Sequence, residues 1–330
     1  MVRRTPNNIA RETHVQNVLS TVDSKSAAAL SRIAASWRRS VTHHGLDPTI
    51  DGPKDLATDR EIRLRRESLE RVLHIATPKL DQLFGLVGQS GCAVVLTDRD
   101  GLIIDQRFGA ADAAQFHQWG LVSGADWSEA AEGTNGIGTC LAENRSVIVH
   151  RDEHFLSKNT AMSCIDTPIY GADGEILAAL DVSSARADQT ETINKLIAAM
   201  VAQTARQIEI ENFSAVFPNA RIVVTDAGET DKTALLAVDA DDIVIGATRG
   251  ARQRFGWCLS GALKPIAASD VLGHRSEQSG FAGAERAAVI RALTRAGGNV
   301  SAAARALGVS RVTLYRRMKR LSISDQTRDT

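Results

Sequence analysis

Residues 297–321, GGNVSAAARALGVSRVTLYRRMKRL, constrain the fold more tightly than any other part of the chain. Gly297-Gly298-Asn299 stops a helix over 285–296, whose Ala288, Val289, Ala292 and Leu293 share one face. Ser301 is expected to cap a second helix, 302–307, whose small residues let a neighbouring helix approach closely. Gly308-Val309-Ser310 then forms a tight turn, in which Gly308 takes the left-handed conformation and Ser310 caps the next helix. That third helix, 311–321, turns Leu314, Met318 and Leu321 inward; Arg311, Thr313, Tyr315, Arg316, Arg317 and Lys319 lie on the opposite side. Two helices across a short glycine turn, the second rich in cations and hydroxyls, are what insertion into a DNA major groove requires. The charge agrees. Lys+Arg and Asp+Glu each total 39, a neutral whole, yet 285–321 holds nine basic residues against the single acid Glu285, a net +8. Such a block draws a polyanion, because each phosphate it neutralises releases condensed counterions.

Upstream, the periodicity changes twice. Ala28, Leu30, Ile33, Ala34 and Trp37 recur at helical spacing over 26–40. A second helical run covers 60–86, interrupted at Pro78. From about Gly88 strands take over. Residues 92–97 and 102–104 pair as a hairpin across Arg99-Asp100-Gly101; 167–170 and 175–182 do so across Ala172-Asp173-Gly174. A helix over 190–211 comes next, then three short strands (222–225, 234–238, 243–245) and a helix over 247–255. Strands bounded by helices at both ends give an α+β multidomain chain with antiparallel sheets. The expected division is a helical N-terminal lead at 1–78, a sensory domain at 79–211, a small segment at 212–257, a linker at 258–283 marked by Pro265, Gly273 and Ser279-Gly280, and a three-helix DNA-binding domain at 284–330.

At 330 residues, two or three domains fit. Cys92, Cys140, Cys164 and Cys258 are scattered with no CxxC pair, which suits a reducing compartment. No apolar run approaches the roughly 20 residues that span a bilayer, and the N-terminus MVRRTPNNIARETH lacks an apolar signal core, so a cytoplasmic protein without membrane association is expected.

Two resemblances sharpen the reading. The 297–321 run resembles the Fis-type helix-turn-helix, which implies that Ser310, Arg311, Thr313, Tyr315 and Arg316 face double-stranded DNA, with Ser301, Arg317 and Lys319 beside them, and that the chain works as a homodimer. Residues 125–155, ADWSEAAEGTNGIGTCLAENRSVIVHRDEHF, and 164–184, CIDTPIYGADGEILAALDVSS, resemble the GAF domain of activators of acetoin and glycerol catabolism. ASWRRSVTHHGLDP resembles their helical lead, and LLAVDADDIVIGATRGARQRFG their reduced PAS-like segment. The resemblance implies a small-molecule effector, with Trp127, Thr134, Asn135, Ile137, Thr139 and Cys164 as ligand-side residues. One part is missing: those activators insert an AAA+ ATPase before the DNA-binding helices, and 257–284 is too short to hold one. Regulation would then act by occupying DNA or through the ordinary RNA polymerase.

Other readings are weaker. The glycines of 133–138 are not a phosphate loop, since no Lys succeeds them. His150 and His154 stand four apart but lack the zinc-protease order, so a surface turn without metal is expected. Cys164 is expected to be a buried free thiol, and Asp181 to end a strand and cap local backbone. No nucleophile, base and orienter can be assembled, so neither catalysis nor a cofactor is expected. The alternative function is an architectural, Fis-like DNA-bending protein whose GAF domain senses nothing.

Overall fold

The computed structural model describes residues 6–52, 55–184, 186, 189–225, 234–240, 242–264, 266–272 and 281–323. The chain forms two compact units that meet in sequence between residues 265 and 266. The linker's Pro265, Gly273, Ser279 and Gly280 lie outside the described residues, as do the first five residues of the N-terminal stretch. Among the described residues no helix is long and apolar enough to cross a membrane.

The first unit opens with a helical lead: α1 (Pro6–Asp23), α2 (Ala27–Leu30) and α3 (Arg32–Thr42), the last capped by Ser31, whose hydroxyl accepts from the Ala34 N–H. A capping box of Thr58 and Glu61 starts α4 (Asp59–Ser68). The next helix, α5 (Glu70–Val87), runs through Pro78 instead of stopping there. Its buried stripe of Val72, Leu73, Ala76, Leu80, Leu83 and Val87 packs on both sides of the proline, and that burial outweighs one missing N–H.

Five antiparallel strands come after it: β1 (Cys92–Thr97), β2 (Ile103–Arg107), β3 (Val147–His150), β4 (Ser163–Tyr170) and β5 (Ile176–Ser184), in the order β2-β1-β5-β4-β3. Both anticipated hairpins are present. The sheet is buried on both faces. Val94, Leu96, Ile165, Leu180 and Val182 join α5 and α9 (Glu191–Val216) in one core, while Ala93, Val95, Ile103 and Cys164 pack with Phe116, Trp127 and Ile137 on the other. That second face is covered by three short helices, α6 (Ala113–Trp119), α7 (Glu129–Glu132) and α8 (Gly136–Glu143).

Beyond α9, strands β6 (Arg221–Thr225), β7 (Ala234–Val238) and β8 (Ile243–Ala247) lie side by side with β7 central, and α10 (Arg249–Arg254) succeeds them. Leu235 and Ala237 pack on Phe213 of α9. The Arg249 guanidinium sits 4.7 Å above the Tyr170 ring, tying this segment to the β4–β5 hairpin.

The second unit holds α11 (Ala268–Val271), α12 (Phe281–Arg295), α13 (Val300–Ala306) and α14 (Arg311–Arg320). Its core is Val289, Ala292, Val300, Ala303, Ala304, Leu314, Met318 and Leu321. Gly308 has φ +65° and Ser310 accepts from the Thr313 N–H at 3.1 Å, as the turn chemistry requires. The cap of α13 corrects the sequence reading: Asn299, not Ser301, accepts from the Ala302 N–H at 3.1 Å. Asn caps as well as Ser does, so the helix begins at Val300 and Ser301 falls inside its first turn, exposed.

Candidate functional site

Stepping 100° per residue along α14 from the buried Leu314 and Met318 places Arg316 at the centre of the opposite face, with Val312 and Arg320 about 40° to either side and Lys319 about 60° away, all four exposed. Arg311 is exposed at the flank, its Nη2 3.5 Å from the Tyr315 hydroxyl and its guanidinium 5.5 Å from the Tyr315 ring. Ser310 and Thr313 are joined at 2.8 Å through their hydroxyls at the helix start. Arg317 has turned elsewhere: with Arg320 it pairs with Glu285, the acid of α12, and so fastens α14 to α12. Of the eight DNA-facing candidates, Arg316 and Lys319 lie on the outward face of α14, Ser310, Arg311, Thr313 and Tyr315 lie at its start and flanks, Arg317 lies toward α12, and Ser301 sits on α13.

In the first unit, the six ligand-side candidates are brought together around the start of α8, all of them buried. Asn135 organises the segment: its Oδ1 accepts from the Gly138 N–H at 2.9 Å, capping α8, and its Nδ2 donates to the Gly133 carbonyl at 2.9 Å. Trp127 Nε1 donates to the Gly120 carbonyl at 2.8 Å, while its ring packs with Ile137 and Cys164. Thr134 and Thr139 both approach Ser36 of α3, at 2.7 and 3.5 Å between hydroxyl oxygens. Arg39, one turn along α3 from Ser36, grips the buried Glu129 of α7 with two hydrogen bonds of 2.7 and 2.9 Å. The lead helix is thus part of the wall. Hollows of about 570 and 680 Å³ lie elsewhere, the first beside Ile62, Arg66 and Leu73, the second beside Val15 and Ser157.

Four polar residues not among the ligand-side candidates, His154, Asp166, Asp181 and Ser183, stand beside Cys164 or one another. His154, expected in a surface turn, is fully buried, with Nε2 3.3 Å from Cys164 Sγ. Asp181, expected at a strand end, lies inside β5 directly across from Asp166, and Ser183 across from Cys164. Ser183 Oγ lies 2.9 Å from Asp181 Oδ2 and 3.1 Å from Cys164 Sγ, with one proton to donate between them. Burial pushes the Cys164 thiol well above its ordinary range, which keeps it unreactive. Among the described residues no three His, Cys, Asp or Glu side chains are gathered as a metal would need.

Asp166 and Asp181 are both fully buried, and among the described residues no protein donor reaches either oxygen of Asp166. Two ionised carboxylates facing each other across the ladder would repel, so burial and mutual charge favour one proton held between them. Burial and then the charge of Asp181 hold Asp166 well above the usual carboxylate range; burial pushes Asp181 up to about 7. Raised in this way, the pair contributes stability that is full below the unfolded carboxyl value near 4 and is lost as pH rises through the folded value. His154 runs the other way. Burial pushes it down to about 4, so its contribution is full above 6.5 and is lost as pH falls toward 4. Above pH 6.5, where the His154 contribution is already full, the carboxyl pair still lowers stability as pH rises. Asp166→Asn, which donates without needing a proton, should lose less stability than the parent as pH rises through neutrality, as read by chemical denaturation. Equal slopes would mean that the pair holds no proton.

Residues 68–211 match the GAF domain family, and residues 282–321 match the family described as bacterial regulatory protein, Fis family. The acetoin catabolism regulatory protein of Cupriavidus necator is 31% identical over 249 residues, covering 74% of this chain and 37% of that protein. The acetoin dehydrogenase operon transcriptional activator AcoR of Bacillus subtilis is 29% identical over 154 residues, 46% of this chain and 25% of its own length. The chain thus spans well under half of either relative. A crystal structure of the E. coli DhaR(N)–DhaL complex shares the fold, with a TM-score of 0.51 at 13% identity over 70% of this chain and 78% of that one.

Proposed function

We propose, for a chain that joins a GAF domain to a Fis-type helix-turn-helix and is homologous to acetoin catabolism regulators, that it is a DNA-binding transcription regulator. It reads a two-fold operator as a dimer, and a small oxygenated metabolite acting on the GAF domain alters that reading. The observation that carries this is the outward face of α14, cationic and exposed on a closed core of its own. A helix of ten residues covers too few base pairs to specify a site alone, which supports the dimer. No ATPase fits between α10 and α12, so regulation proceeds by occupying DNA or through the ordinary RNA polymerase.

Arg311 tests the reading. Swung from its resting place on Tyr315, its guanidinium can take a guanine edge bidentately. Arg311→Ala should weaken operator binding by about 1–3 kcal/mol, roughly five- to a hundredfold, and relax preference at one position per half-site. Fluorescence titration of operator and scrambled duplexes, with and without small hydroxy- and ketone-bearing metabolites, reads both halves of the proposal. Equal weakening on every sequence would make Arg311 a phosphate contact. Binding without sequence preference, indifferent to any metabolite, would favour a purely architectural protein.

A further inference from the structure

We infer that Val312 is a specificity residue that reads the 5-methyl group of a thymine, an inference that rests on the DNA-binding reading above. Val312 is 70% exposed at the second position of α14, while the other aliphatic residues of that helix, Leu314 and Met318, are buried. Packing within the unit does not account for it, and neither does helix formation, since a β-branched residue is a poorer helix former than the Lys and Arg used around it. Its surroundings do. Arg316, one turn further on, and Lys319 flank it on the outward face, and Arg311 precedes it. A helical Cβ points back toward the N-terminus, the end of a recognition helix that meets base edges. Cations placed to hold phosphates or a guanine edge thus surround one stiff apolar side chain aimed at the groove floor. There the apolar feature that distinguishes base pairs is the thymine methyl. Because Val has one strongly preferred χ1 in a helix, its methyls are presented with little entropy left to lose.

The test uses the full chain and duplexes selected from a random pool, with deoxyuridine replacing each thymine in turn. Deoxyuridine keeps the pairing and the O4 acceptor and removes only the methyl. At one thymine of each half-site the replacement should weaken binding about fourfold, the value of one buried methyl at about 0.8 kcal/mol. Val312→Ser should bind thymine and uracil duplexes alike at that position, with its affinity for scrambled DNA unchanged as proof of an intact fold. Sensitivity at no thymine, or sensitivity that survives in Val312→Ser, overturns the assignment to Val312. A selection that yields no preferred sequence overturns the DNA-reading proposal as well.

Discussion

Replacing Gly136 by Ala is expected to destabilise the first unit by about 3 kcal/mol or more, while the same change at Gly85 should stabilise it by about 0.5–1 kcal/mol. Both glycines are helical, and in α5 the added methyl of Gly85 meets nothing within 4 Å. There the gain is the ordinary helix preference of Ala over Gly. At Gly136 the methyl would stand 1.9 Å from Asp166 Oδ2 and 2.5 Å from the Cβ of Cys164. Cys164 Cβ is fixed to the backbone of β4 and cannot step aside; Asp166 is held against Asp181. Either α8 lifts from the sheet or β4 shifts. Denaturant midpoints of the two variants measured side by side decide the matter, and a stable Gly136→Ala protein would show that α8 does not press on the carboxyl pair.

Leu314→Ala should abolish operator binding altogether. Leu314 is fully buried in the core of the second unit, where truncation of a leucine costs about 2–5 kcal/mol. A module this small has little margin to absorb such a loss. The expected result is lost helical signal together with lost DNA binding, whereas Arg311→Ala weakens binding with the helices intact. Retained folding and retained affinity in Leu314→Ala would mean that the helix-turn-helix is braced by more than its own eight-residue core.

Much of this architecture could be read from particular residues. Arg99-Asp100-Gly101 and Ala172-Asp173-Gly174 fixed the two hairpins because tight turns demand those residue types. Gly308 and Ser310 located the turn before α14 for the same reason. Where the reading failed, polar residues had been pulled inside. Asp181 was expected to end its strand, yet β5 runs on through Ser184, with Asp181, Ser183 and Ser184 all buried. Period-two alternation would have found the cluster: Cys164 and Asp166 share one face of β4, as Asp181 and Ser183 share one face of β5. No local pattern announces that β1 pairs with β5, or that Ser36 and Arg39 of α3 close over α7 and α8. Those contacts exist only once distant segments have met.

The β1–β5 ladder also sets a schedule for biosynthesis. Cys92 pairs with Ser184, and β1 lies between β2 and β5 in the finished sheet. Until Ser184 has left the ribosome, the apolar run CAVVLT has only β2 on one edge and nothing on the other. At ~5–20 residues per second that interval lasts roughly 5–20 s, long compared with the microseconds in which a hairpin forms. The nascent chain therefore carries an open, aggregation-prone strand edge through most of the synthesis of its own sensory domain. Helices α12, α13 and α14 of the second unit, whose contacts are local, have no such wait. In a stalled or truncated product it is the sheet, and not the DNA-binding end, that would call on chaperones.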